Sequence, residues 1–160
     1  MRRFEYDFKL GKAGEQLIED WLRENGWRFL FESGAVVRGD ECFVYDVKMK
    51  DRWVRFPTPD SEPETGINEN AYVEYLAVAR RRALQGEKCA LFFVHINAYD
   101  DAGVWSLADL STPPRVWDGL DPSGRYVEPP IALWRRSVLT QEIGAEETLL
   151  RWERAWRKCA

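Results

Sequence analysis

The chain has 160 residues, of which 45% are hydrophobic and 31% are charged, and this size and composition suit a globular domain. We expect a single domain over 1–160, with a core at about 7–98 and a C-terminal elaboration at about 99–160. The formal net charge of −4 argues against a protein that coats nucleic acid without selectivity. The single histidine, His95, disfavours zinc hydrolases that depend on histidine clusters. Three cysteines without metal-like spacing and a start without an apolar signal core predict a cytoplasmic location.

The first half of the chain predicts a helix, a hairpin and a loop. Apolar residues recur at helical spacing from about 7 to 25, and Gly26 follows at a C-cap position. Residues 27–37 and 41–50 have the composition of extended strands with a turn between them, so we expect a β-hairpin. Residues 51–68 contain three prolines and predict a long loop.

The second half begins with a helix expected at about 70–85. A continuous apolar run at 89–96 then predicts a strand buried on both faces. Further on, the pattern predicts a short strand at 103–107, a helical turn at 106–110, a strand at 131–139 and a final helix at 146–158, and it gives no clear assignment for 111–130. The fold class that we expect is therefore α/β (α+β), with a central mixed β-sheet flanked by helices.

The strand at 41–50 carries two opposite charges within an apolar sequence. Because side chains alternate along a strand, Asp46 and Lys48 share one face with Cys42 and Val44. A carboxylate and an ammonium are costly to remove from water unless they are paired or used. Two interpretations remain open: an ion pair on an edge strand, or a metal-ligating acid beside a catalytic lysine.

Glu15 is a second candidate acid. On a helical wheel it lies at the edge of the apolar stripe of the first helix, from which it can face the sheet. The alternative is a solvated glutamate on the flank of that helix, which is a common position for charged residues.

Glu32 is a third candidate acid, and its position depends on the hairpin register. If 38–40 form a three-residue loop, Glu32 lies directly opposite Asp46, where a divalent cation would relieve their repulsion. If 39–40 form a two-residue turn, Ser33 takes that place. The sequence leaves both registers open.

These residues and their order resemble the PD-(D/E)xK nuclease superfamily, in particular its Holliday-junction-resolvase-like and restriction-endonuclease-like branches. The resemblance rests on Gly11-Lys12-Ala13-Gly14-Glu15 in a first helix, a hairpin, Asp46-Val47-Lys48, and then a helix and an apolar strand. It covers about 7–98, and Thr65-Gly66-Ile67 before the second helix adds to it. Members of the superfamily usually carry an acid on the strand before the D/E-x-K strand, whereas Gly34-Ala35-Val36-Val37 contains none.

The resemblance implies a restriction-endonuclease-like core and a nuclease that depends on Mg2+ or Mn2+. Its substrate would be the phosphodiester bonds of DNA, in repair, recombination or mobile-element processing. Lys48, Asp46 and Glu15 would be catalytic, and Asp46, Glu32 and Glu15 would hold the metal through hard oxygen ligands. DNA is the expected partner, without a membrane, and a homodimer is an arrangement that similar folds adopt.

Other residues predict contacts with the DNA substrate. We expect Lys50, Arg52 and Arg80 to form part of a phosphate-binding rim, and Tyr72 to reach the site from the second helix. The alternative for Arg80 is a solvated helix face, and for Tyr72 it is packing in the core.

Two other functions compete with a nuclease. The first is a catalytically degenerate protein of the same fold that binds nucleic acid or a protein partner, which the missing acid and the acidic net charge favour. The second is a tryptophan-rich module for a small ligand such as a glycan, which the eight tryptophans alone suggest.

Overall fold

The structure is a computed structural model that describes residues 3–30, 34–55, 61–120, 122–125 and 128–159. Besides its α-helices and strands, the described chain has short 3₁₀ helices at Ala98–Asp100 and Arg136–Val138. The helices and strands follow in chain order as α1 Arg3–Glu24, β1 Arg28–Leu30, β2 Ala35–Arg38, β3 Glu41–Lys50, β4 Glu64–Asn68, α2 Glu69–Ala83, β5 Lys88–His95, β6 Gly103–Leu107, β7 Arg115–Trp117, β8 Ile131–Arg135, β9 Thr140–Ile143 and α3 Ala145–Lys158.

The main sheet has six strands in the order β1-β2-β3-β5-β6-β9. Strands β1, β2 and β3 form an antiparallel meander, and β5 lies parallel to β3 after a crossover through β4 and α2. Strands β6 and β9 extend the sheet in antiparallel fashion. The predicted mixed sheet with flanking helices is therefore confirmed, as is the order helix, hairpin, helix, strand.

Each face of the main sheet is covered by a different layer. Helix α1 packs on β3 and on α3, which in turn contacts β6, whereas α2 packs on β5 and on the second sheet, of order β4-β8-β7. Strand β5 contributes Phe92 and Val94 to the first core and Leu91 and Phe93 to the second, so it is buried on both faces as its apolar run predicts. None of the helices in the described residues has the length and apolar content that a membrane span requires.

Helix α1 approaches the sheet closely because Gly14 has no side chain. A Cβ at this position would overlap the side chain of Met49 on β3. The close approach holds the next residue, Glu15, beside the sheet.

Several sequence predictions for the hairpin and the later strands are corrected. Residues 27–37 form two antiparallel strands, β1 and β2, rather than one. The β2–β3 register pairs Arg38 with Glu41, which is the two-residue turn and not the register that pairs Glu32 with Asp46. The expected loop at 51–68 ends in β4, residues 106 and 107 end β6 rather than start a helical turn, and β7 and β9 were not predicted.

Candidate active site

Strand β3 places its even-numbered side chains on the face that α2 covers. In the parallel register, Asp46 pairs with Leu91 and Lys48 with Phe93, both of which belong to the core beneath α2. The Nζ atom of Lys48 lies 3.3 Å from Oδ2 of Asp46, and both side chains are about one-third exposed, at 31% and 35%. The alternation of the strand therefore brings the two predicted residues together at the edge of solvent.

The two carboxylate oxygens of Asp46 differ in their surroundings. Oδ1 accepts a hydrogen bond of 2.9 Å from the backbone N–H of Val47. Oδ2 is shielded from solvent and receives no hydrogen bond of normal geometry from the described residues, although Lys48 lies close to it. Shielding a carboxylate oxygen is costly, and the charge of Lys48 offsets part of that cost.

Helix α2 adds Tyr75 to this pair. The ammonium of Lys48 lies 4.9 Å from the centre of the Tyr75 ring. Burial acts to lower the pKa of Lys48, but polar contact with Tyr75 and the charge of Asp46 outweigh it, so the pKa is raised. The same surroundings raise the pKa of Tyr75, chiefly through burial and then through its contact with Asp46. Lys48 is therefore a fixed positive charge at neutral pH.

Lys50 is the next residue on the same face, and its surroundings are different. Burial, reinforced by the charge of Lys48 and partly opposed by Glu128, lowers the pKa of Lys50 to about 8. Its register partner on β5 is His95. Lys48 and Lys50 are thus two amines on one face of β3, and Lys50 has the lower pKa of the two.

His95 is fully buried and does not titrate near neutral pH. Its ring stacks on Trp53 with centroids 4.2 Å apart, and its Nε2 atom lies 3.2 Å from Oγ1 of Thr65. Burial, followed by the nearby charge of Lys50, lowers its pKa to about 3. The single histidine is therefore a neutral packing residue and not a general base for the site.

A cleft follows the edge of β3 at Asp46. Two hollows of about 260 and 370 Å³ open there, and both are lined by Gly34, Tyr45 and Asp46. We call these two hollows together the edge cleft.

The two ends of the edge cleft carry opposite charges. The hollow on the α2 side is lined by Tyr75 and Arg82, and the hollow on the α1 side by Glu15 and Glu19. Burial, and then the negative charges of Glu19 and Glu15, raise the pKa of Tyr45 to about 12. An acidic wall and a basic wall thus meet at Asp46.

The remaining predicted site residues lie at various distances from this cleft. Glu32 lies outside the described residues. Arg52 is exposed in the bend after β3, and Arg80 is exposed on α2, where it lines a different hollow with Asp109. Tyr72 donates a hydrogen bond of 3.1 Å to the carbonyl of Leu110 and packs in the core, so the structure does not bring it to Asp46.

Three residues of the cleft were not named as site residues from the sequence. Tyr75 lies one helical turn after Tyr72 on α2, and the structure brings it, rather than Tyr72, to Lys48. Glu19 follows Glu15 by four residues, which places both on one helix face and is a signal available from spacing alone. Arg82 pairs with Glu87 at 2.8 Å and lines the cleft, and its sequence signal is the run of three arginines that begins at Arg80.

The metal-ligand set within the described residues is incomplete. No group of three or more His, Cys, Asp or Glu side chains in these parts of the chain is arranged to hold a metal ion. Asp46 and Glu15 line one cleft, and the shielded Oδ2 of Asp46 fits an oxygen ligand for a hard cation. Searches against protein-family models, curated proteins and solved structures each find no match to the chain.

Proposed function

We propose that the protein is a metal-dependent nuclease that hydrolyses phosphodiester bonds of DNA, with the edge cleft as its active site. The observation that carries the proposal is the pair Asp46 and Lys48, in which a shielded carboxylate oxygen without a normal hydrogen bond lies 3.3 Å from a protonated amine. Asp46 lines an open cleft rather than a sheet interior, so a substrate phosphate could reach the pair.

The order of elements supports the same proposal. Helix α1, the β2–β3 hairpin, α2 and β5 follow one another as the resemblance to PD-(D/E)xK nucleases requires, and Asp46-Val47-Lys48 lies in the middle of β3. Gly14 brings α1 against β3, so that Glu15 lines the cleft beside Asp46. The proposal therefore uses the same residues that the sequence resemblance names.

Asp46 and Glu15 would hold Mg2+ or Mn2+, with Glu32 as the further ligand that the resemblance implies. When bound, such an ion lowers the pKa of a coordinated water and offsets negative charge on the phosphate. Each would supply a carboxylate oxygen, Asp46 from β3 and Glu15 from α1, which line the same hollow.

The role of Lys48 follows from its protonation. Because its pKa is raised, Lys48 stabilises negative charge that develops on the phosphate rather than removing a proton from water. Tyr75 fixes the direction of this amine. Lys50, further along the same face, holds the flanking phosphate, and the exposed Arg52 extends this row.

Cleavage of plasmid and branched DNA in the presence of Mg2+ or Mn2+ tests the proposal. We expect Asp46→Asn and Lys48→Met to reduce cleavage by at least about 100-fold, since each removes a group that acts in the transition state. The matched controls Asp40→Asn and Lys158→Met change exposed residues outside the cleft and should cleave like the wild type. Cleavage that survives both site substitutions would place the activity elsewhere or in a contaminant.

The incomplete ligand set favours one other function, a nuclease-fold protein that binds DNA without cutting it. Titration calorimetry with Mn2+ separates the two functions. A nuclease should bind Mn2+ in a manner that Asp46→Asn weakens, whereas a degenerate protein should bind DNA equally well with and without the ion and leave every substrate intact.

A further inference from the structure

A second cavity lies on the opposite face of the main sheet from Asp46 and Lys48. It has a volume of about 430 Å³, which is within the usual range for sites that bind small molecules. Four aromatic residues line it, three of them on α1, β3 and β5 and one just before β1: Trp21, Phe43, Phe92 and Trp27. We call this cavity the aromatic pocket.

The aromatic rings meet edge to face rather than filling the cavity. Trp21 and Phe92 have centroids 6.1 Å apart at 75°, and Trp27 and Phe43 have centroids 4.7 Å apart at 76°. Trp27 and Phe92 are buried, whereas Trp21 and Phe43 are partly exposed. A planar guest in the cavity would therefore stack on Trp21 and Phe43.

One wall of the aromatic pocket is polar. Ser106 donates a hydrogen bond of 2.7 Å to Oε1 of Glu142. The register between β6 and β9 pairs Trp105 with Gln141 and Val104 with Ile143, so Glu142 is the extra residue of a β-bulge. Bulges of this kind redirect a side chain, and this one brings Glu142 to the same face as Ser106 and into the lining of the pocket.

Two cations stand at the rim of the pocket. Arg38 lies over the Trp27 ring at 4.4 Å and donates a hydrogen bond of 3.1 Å to the carbonyl of Asn25. Its contact with Glu41 is long, at 3.8 Å, and exposed, so it contributes little. Lys88 is exposed at the start of β5 and lines the same cavity.

We propose that the aromatic pocket binds a nucleotide. The base stacks on the partly exposed rings of Trp21 and Phe43, and an N–H edge of the base donates to the carboxylate of Glu142. The phosphate pairs with Arg38 and Lys88. Each part of the ligand has a counterpart: a planar ring, a hydrogen-bond donor and an anion. This site is independent of the nuclease proposal, because none of the side chains assigned to the nucleotide lines the edge cleft.

Titration calorimetry with the four nucleoside 5′-monophosphates and their nucleosides tests the site. We expect at least one monophosphate to bind. Glu142→Gln should weaken the binding of the monophosphate and of its nucleoside alike, by roughly ten-fold. The substitution removes the charged acceptor while keeping an oxygen for Ser106. Arg38→Gln should weaken the binding of the monophosphate several-fold and leave the binding of the nucleoside unchanged, because only the phosphate contacts the guanidinium.

The control variants are Glu146→Gln, in the exposed first turn of α3, and Arg28→Gln, on the exposed β1. Neither should change binding. No binding of any monophosphate, or binding that both pocket variants leave intact, would overturn the proposal.

A second experiment distinguishes a free nucleotide from a nucleotide within a DNA strand as the ligand. If the pocket takes an unpaired base of a single strand, hexadeoxynucleotides will bind more tightly than monophosphates and will show the same loss with Glu142→Gln. If it takes free nucleotides, the hexamers will bind less tightly than the monophosphates. Both results support a base-binding pocket and differ only in what delivers the base.

Discussion

Lys50 carries a charge that the fold does not favour. Its side chain is half-buried at the end of β3, and its pKa is lowered to about 8 by burial first and by Lys48 second. In the unfolded chain the same ammonium is fully hydrated. Keeping this lysine therefore costs stability, which is common where a charged group serves a function rather than the fold.

We expect Lys50→Met to stabilise the protein by about 1–2 kcal/mol at pH 7. Because the pKa falls from 10.5 to about 8 on folding, the unfolded state binds more protons between these two values. The unfolding free energy of the wild type therefore rises with pH across that window, and the advantage of the variant disappears near pH 10.5. Urea unfolding at pH 7 and pH 10 measures both quantities.

The exposed Lys88→Met is the control for Lys50→Met and should change stability little at either pH. A variant that is less stable than the wild type at pH 7 would mean that Lys50 is paired in solution. That result would contradict the lowered pKa of Lys50.

Single residues of the site can be predicted from the sequence where the strand or helix repeat alone fixes their position. The pairing of Asp46 with Lys48 follows from the two-residue repeat of a strand and is confirmed. The choice between Tyr72 and Tyr75 does not follow from the helical repeat, because both lie on the same stripe of α2. Only the position of the helix along β5 decides it, and that position depends on contacts distant in sequence.

Helix α2 is held to the sheet by partly buried residues. It has no fully buried residue, and its contacts come from Ala71, Tyr72, Tyr75, Leu76 and Ala79. The two tyrosines differ in their polar ends: Tyr72 bonds to the carbonyl of Leu110, and Tyr75 meets Lys48. The Tyr72 hydroxyl therefore has a structural role, whereas Tyr75 belongs to the candidate site.

Tyr75→Phe should lower the pKa of Lys48, because burial remains while a contact that raises the pKa is removed. NMR titration of reductively methylated lysines measures this shift without any activity assay. Tyr72→Phe is the matched control: it should leave Lys48 unchanged and cost about 1 kcal/mol of stability through its lost hydrogen bond. An unchanged pKa in Tyr75→Phe would remove that residue from the site.

The elements that the sequence predicted well have strong local patterns. Strands β3 and β6 have the predicted bounds, and α2 and α3 begin within a residue of them. Strand β4 was missed because Glu64, Thr65 and Gly66 resemble a loop, although all three are buried. Its partner is β8, so the signal for this strand lies far along the chain.

At the scale of the whole molecule, β4 joins the two sheets. Glu64 is buried and accepts two hydrogen bonds from Arg115 on β7, at 2.8 and 3.2 Å. Thr65 meets His95 of the main sheet. Gly66 lies so close to β8 that a Cβ would overlap the carbonyl oxygen of Ala132. The second sheet therefore tolerates no side chain at this point.

The same substitution at two glycines should have opposite effects. Gly66→Ala forces backbone against backbone in the β4–β8 pair, which cannot yield as a flexible side chain does, so we expect a loss of roughly 3 kcal/mol or more. Gly11→Ala lies within α1 with nothing near its Cβ, and it should stabilise the protein by about 0.5–1 kcal/mol through helix propensity. Urea unfolding compares both with the wild type. Equal stability of the two variants would mean that β4 and β8 do not pair closely, and the layer that supports α2 above the site would be absent.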